Sequence, residues 1–252
     1  MHALKGLIIA FASYTRIPMP QVDWAQENRR WSMCFFPLIG VVVGGLLWGW
    51  LALCDRLYIE PLLRGAVGAV LPLLVTGGIH MDGFMDVTDA MSSWQPREKR
   101  LEILKDAHVG AFAVIACGCY LLLTAGLLSA CTAAQGLALT AAFVLSRSMS
   151  AYAMVALPQA RKQGMLADNA RASDHRRVTI AAWCWFALGM AAAVYGMGWL
   201  GVLLPAGALA CLAWYAYRAK KYFGGISGDQ AGWYVQTAEL VGLVCIVLGR
   251  YL

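Results

Sequence analysis

The sequence predicts an all-α, polytopic integral membrane protein, a bundle of about seven transmembrane helices forming one domain over residues 1–252. Three observations carry this. Only 13% of the residues are charged, where a soluble domain carries about 25%. The chain is 60% hydrophobic with a mean hydropathy of +0.62. Four stretches, 32–54, 65–81, 109–146 and 178–217, contain no Asp, Glu, Lys or Arg. A helix needs about 20 apolar residues to cross a bilayer. The last two stretches, 38 and 40 residues long, therefore each hold two crossings and a tight turn, at "TAAQG" (132–136) and "GMGW" (196–199).

The crossings are expected at 32–53, 62–79, 110–131, 137–157, 178–197, 199–217 and 232–250. Residues 1–15, "MHALKGLIIAFASYT", are too short an apolar stretch to span and read as an interfacial or half-inserted helix. Their "AFA" resembles a signal-peptidase site only loosely. Loops 15–31, 80–109, 158–177 and 218–231 hold 15 of the 20 Lys and Arg residues. The positive-inside rule puts these loops in the cytoplasm of a multi-pass membrane protein. The net charge of +6 is then mostly a topology signal. The lipid bilayer is the expected large partner and nucleic acid is not, while oligomeric state stays open. The eight cysteines lie in or beside apolar runs, without a C-x-x-C, and read as reduced packing residues.

Acids are scarce here, yet "HMDGFMDVTDA" places Asp82, Asp86 and Asp89 at offsets of 4 and 7, on one face of a helix. Three like charges on one face repel. They could be a solvated helix end. At the mouth of a membrane segment, however, ionisable groups are functional by default, and carboxylate oxygens suit magnesium. Gly83 would let a bulky ligand approach. The loop continues "QPREKRLEILKDAHVGAF", with Arg97 and Lys105 as candidate phosphate partners, and Asp106 and His108 beyond them. Glu98, Lys99 and Arg100 read as the solvated face of an amphipathic helix. A metal held by aspartates beside several cations is what pyrophosphate chemistry needs.

A third segment, "AKKYFGGISGDQAGWYVQTAE", offers Lys221, a glycine turn reaching Gly228, and Asp229 just before the last span. Glu239 within that span and Arg147 in "LSRSM" are intramembrane charges. They read either as a structural pair or as substrate-facing groups. Arg161, Lys162 and Gly164 lie in a loop on the same side of the membrane.

"FASYTRIPMP", "FFPLIG", "GGIHMDGFMDVTDAM", "RLEILKDAHVGAFAV" and "GGISGDQAG", spread over residues 7–240, resemble the adenosylcobinamide-GDP ribazoletransferase, or cobalamin-5′-phosphate synthase, family. Its pattern matches at His80, Asp82, Gly83, Asp86, Asp89, Lys105, Asp106, Gly110, Gly228, Asp229 and Glu239. The chain departs from it in "ISGDQAGW", where a threonine before the Gly-Asp and a leucine near Ala231 are expected. The resemblance implies a membrane transferase with a cytoplasmic active site and Mg2+ as metal. Its small-molecule substrates would be adenosylcobinamide-GDP and α-ribazole or its 5′-phosphate, with GMP released.

On this reading Asp82, Asp86 and Asp89 bind magnesium with Asp229, and Arg97, Lys105 and Lys221 hold phosphate oxygens. Gly228, Glu239 and Arg147 are further candidates for substrate binding. Asp89 or Asp106 is the expected base, with His80 or His108 behind them. Two alternatives are weaker. A CDP-alcohol phosphotransferase should carry D-G-x-x-A-R, whereas residues 82–86 read "DGFMD". A transporter should show paired broken helices, and no such repeat is evident.

Overall fold

The structure is a computed structural model that describes residues 1–106 and 108–251, and among these the chain is helical, without a β-strand. The N-terminal helix α1 (His2–Tyr14) has 13 residues, about 20 Å, too short to cross a hydrocarbon core of about 30 Å. A short α2 (Gln26–Arg29) leads to α3 (Phe36–Leu57). Pro37 opens α3, where its missing N–H leaves no bond unmade. α4 (Pro61–Thr76) stops at Gly77 and Gly78, both left-handed at φ 66° and 77°. Glycine takes that conformation at little cost. The pair turns the chain by 99° into α5 (Ile79–Ser92), the acidic helix.

The chain continues through α6 (Arg97–Ile103), α7 (Ala111–Ser129), α8 (Gly136–Ala156), α9 (Met165–Ala172) and α10 (His175–Met197). It ends with α11 (Leu203–Arg218), a π-helical turn at Ala219–Phe223, and α12 (Gly228–Leu248).

The core is α8, buried almost all round, as an apolar helix at the centre of a membrane bundle should be. α3, α10, α11 and α12 pack on it. Close packing between membrane helices depends on small residues. "GVVVG" at 40–44 supplies them on α3. A Cβ on Gly40 would strike the Phe143 carbonyl, and one on Gly44 would lie 2.5 Å from the Thr140 Cα. Arg147 and Glu239 meet inside this core: Nη1 donates to Oε1 at 2.5 Å, and the guanidinium also lies over the Phe143 ring. These charges, expected to be either a structural pair or substrate-facing, are paired with each other and buried.

Five helical stretches among the described residues are long and apolar enough to cross a membrane, or six if the bent α4–α5 pair is one span. The seven expected crossings differ from this at two places. The crossing expected at 62–79 is cut at Thr76 by the glycine bend. Those expected at 178–197 and 199–217 belong to one helical run, His175–Phe223, with a 3-10 turn at Gly198–Val202.

Candidate active site

The bend after α4 lays α5 against α12 and α7. Two glycines allow the crossing with α12. A Cβ on Gly83 would lie 2.5 Å from the Asp229 carbonyl oxygen, and one on Gly232 would lie 2.9 Å from that of His80. This contact brings Asp229, in the first turn of α12, to the acidic face of α5.

Asp82 is exposed and Asp86 half-buried. Partial burial, and then the like charges of Asp82, Asp229 and Asp89, push the Asp86 pKa up to about 6. Among the described residues, no cation offsets this repulsion at Asp86. Asp89 differs from the other two. Its carboxylate accepts the amides of Gly110 and Ala113, at 2.6 and 2.9 Å, and so caps α7. A Cβ at 110 would lie 2.6 Å from Asp89 Oδ2 and would push the capping carboxylate aside.

His80 is buried, stacked on Tyr14 and edge-on to Phe36 at centroid distances of 6.2 and 5.8 Å. Burial, and then the charge of Arg147, hold its pKa down to about 3, so it is a neutral imidazole. Asp106 lies on an exposed turn. There its Oδ1 accepts the His108 backbone amide and faces His108 Nδ1, contacts that lower its pKa.

The basic residues line the same end of the bundle. The Arg97 guanidinium covers Gly224 in the turn before α12. Lys221 reaches the Tyr217 hydroxyl at 2.8 Å, and Lys105 is exposed. Arg161 donates to the Leu101 carbonyl at 2.7 Å and lines a cavity with Gly228 and Asp229. A second cavity, of about 170 Å³, lies between Tyr14, Phe36, His80, Asp82 and Asp229. Asp229 thus borders both cavities, and Asp82 borders the second.

A family profile described as Cobalamin-5-phosphate synthase matches residues 6–247. The chain belongs to the cobalamin-5-phosphate synthase family. It is 37% identical over 250 residues to the adenosylcobinamide-GDP ribazoletransferase of Lachnoclostridium phytofermentans, covering 99% of this chain and 96% of that one. It is 32% identical over 254 residues to the enzyme of that name from Desulfitobacterium hafniense, covering 97% of each. No solved structure matches the chain.

For a cobalamin-5-phosphate synthase family member, the donor set at this site is hard oxygen: Asp82 and Asp86 from α5, and Asp229 from α12. That chemistry fits magnesium, and the repulsion acting on Asp86 is what a divalent cation would relieve. Among the described residues, no three His, Cys, Asp or Glu side chains converge tightly enough to close a coordination sphere as they stand. Tyr14 and Phe36, which wall the larger cavity, were not singled out by the site reasoning from sequence. The signal was present, since they lie in "FASYTRIPMP" and "FFPLIG", two segments that carry the family resemblance.

Proposed function

We propose that the chain joins adenosylcobinamide-GDP to α-ribazole or its 5′-phosphate, releasing GMP, in a late step of cobalamin biosynthesis. The observation that carries this is the meeting of Asp82 and Asp86 with Asp229 at a helix crossing, beside an apolar cavity and a second one that Arg161 lines. Asp82, Asp86 and Asp229 would hold Mg2+. When bound, magnesium would neutralise the pyrophosphate and favour departure of GMP.

The chain's own groups do the rest. Arg161 and Arg97 orient phosphate oxygens, Arg being the better bidentate partner. A ribazole hydroxyl attacks the phosphorus on the cobinamide side of the pyrophosphate. One P–O bond forms as the bond to GMP breaks. The hydroxyl proton goes to a carboxylate. Asp89 lies one turn from Asp86 and keeps lone pairs beyond the two amides it accepts, whereas Asp106 faces His108 on an exposed turn and His80 is buried.

The chain crosses the bacterial inner membrane with this end in the cytoplasm. Seven crossings suit the run His175–Phe223, whose 49 residues would measure about 73 Å as one helix, more than twice the hydrocarbon core. The direct test supplies the purified chain in lipid with adenosylcobinamide-GDP, α-ribazole 5′-phosphate and magnesium. GMP and a cobamide should appear together, and neither in excess chelator. Intact substrates after prolonged incubation with magnesium would overturn the reading.

A further inference from the structure

Several features offer a possible second role. The small, mostly apolar cavity beside Glu239 contains a charge already paired with Arg147, and the exposed aromatics at Trp214 and Tyr217 have nothing on them that defines a partner. The cavity beside Asp82 and Asp229 goes further.

Three of its walls are aromatic rings packed on one another: Tyr14 on Phe36 at 4.7 Å, with His80 against both. Met33 and Met165 line it as well, and methionine sulfur packs well on aromatic faces. Polar atoms are few. The Tyr14 hydroxyl is engaged by Asn169 Nδ2 at 3.0 Å and by the Met33 sulfur. His80 differs, because it is only 5% exposed and its ring makes no hydrogen bond among the described residues, with Nε2 closed off behind the ring. An unsatisfied buried donor or acceptor costs about 1–3 kcal/mol in general, so an unpaired imidazole in a cavity wall suits a ligand with one matching atom.

We propose that this cavity receives the fused aromatic base of the acceptor nucleoside. The His80 imidazole hydrogen-bonds the free ring nitrogen of the base, and the ribose turns towards Asp82 and Asp229. The inference rests on the ribazole acceptor proposed above and assigns its base a place. A cavity of about 150 Å³ takes one benzene ring in another protein. This one, at about 170 Å³, shares Met165, Leu166, Gly228 and Asp229 with the lining of the cavity that holds Arg161, which places the sugar's route on that side. A benzimidazole nucleoside fits these walls: two apolar ring faces and a single acceptor nitrogen. With Asp82 and Asp229 committed to the metal, guanine would bring several donors and acceptors that the remaining walls, mostly Tyr14, Phe36, Met33 and Met165, cannot all pair, and a corrin ring is far too large. His80 is thereby a specificity-determining residue, and its burial under Tyr14 and Phe36 fixes its ring plane.

The test compares α-ribazole with an analogue in which the free ring nitrogen is replaced by C–H, using the full chain in lipid. With the parent, loss of one hydrogen bond should raise the acceptor KM about tenfold. With His80→Phe, which keeps a flat ring, that ratio should fall to about one while the KM for adenosylcobinamide-GDP stays unchanged. Ser150→Leu fills the cavity from α8 and should raise the KM for α-ribazole at least tenfold, and less for a riboside with a single-ring base. Ser150→Leu also serves if His80→Phe does not fold.

A tenfold ratio retained in His80→Phe, or an unchanged acceptor KM in Ser150→Leu, would overturn the base site while leaving the transferase activity standing. If the parent makes no cobamide, the activity fails separately. Calorimetric binding of α-ribazole then decides the site: saturable binding lost in Ser150→Leu upholds it. No binding, or a lipid chain that co-purifies in the cavity and resists displacement by the nucleoside, overturns it.

Discussion

At the residue scale, Asp86 is the group whose chemistry is most altered by its surroundings. Its folded pKa of about 6 lies above the ordinary carboxylate value. The folded protein therefore holds this proton more tightly than the unfolded chain does. The stabilisation is fully present below pH 4 and is lost as pH rises to about 6. Without metal, Asp86→Asn should melt above the parent at pH 7, by about 1 kcal/mol once screening at this half-exposed site is allowed for, roughly 2–4 °C. The two should converge below pH 4. With magnesium the order should reverse, since the parent keeps the ligand. Proton and metal compete for one carboxylate, so magnesium should stabilise the parent less as pH falls through about 6.

Activity of Asp86→Asn should drop on the order of 10²–10³-fold, while Glu98→Gln, at an exposed position, should match the parent. Equal turnover of the two variants, or a melting difference independent of pH, would reduce the cluster to a charged helix end. The spacing of Asp82 and Asp86 was readable in the sequence because i, i+4 fixes a helix face. The cap that Asp89 provides was not, since it depends on the N-terminus of α7 reaching back 21 residues. Neither was the burial of His80, which comes from α1 and α3.

At the element scale, the site is a helix crossing made possible by absent side chains. Gly77 and Gly78 bend α4 into α5, and Gly83 lets α5 lie on the first turn of α12. Gly83→Ala would put a methyl 2.5 Å from the Asp229 carbonyl oxygen, a backbone atom with nowhere to go. Overpacking of this kind costs about 1–3 kcal/mol. A shift of the order of 1 Å at a reacting centre can cost about 10² in rate. Gly83→Ala should therefore lose activity on that scale while the protein still inserts. Gly45→Ala on α3 meets open space and should be neutral in both assays. Parent-like activity of Gly83→Ala would show that the crossing does not set the site.

The sequence marked Gly83 as a point of close approach, but to a ligand; the neighbour is the backbone of α12. The bend could not be read either. A Gly-Gly pair inside an apolar run is equally consistent with a straight span, and the choice is made by the packing of α5 against α12. Composition was enough for the long apolar helices, because a bilayer admits few other solutions.

At the scale of the whole molecule, charge divides the bundle into two ends. Loops 15–31, 80–109, 158–177 and 218–231, which carry 15 of the 20 basic residues, include the candidate site. The basic residues elsewhere in the described chain are largely tied into structure. Arg64 pairs with Asp55 at 3.0 Å and donates to the Cys131 carbonyl, while Asp55 also accepts the Ala133 amide at 2.7 Å. Arg250 donates to the Ala130 carbonyl, and Arg147 is held by Glu239. The unneutralised positive charge thus gathers at one end, which is the basis in the positive-inside rule for the cytoplasmic orientation proposed above.

Single cysteines in a cysteine-free background report this directly. Probes at the exposed positions Glu98 and Gln163 should react in intact cells only after the membrane is permeabilised. A probe at exposed Ala134, beside Asp55 and Arg64, should react with an impermeant reagent from outside. Reaction of Glu98→Cys from outside would place the carboxylates away from their proposed substrates and would exclude this orientation. Protection of all three sites would mean that the turn around Ala134 does not emerge from the bilayer, and with it would go the two crossings proposed on either side of that turn.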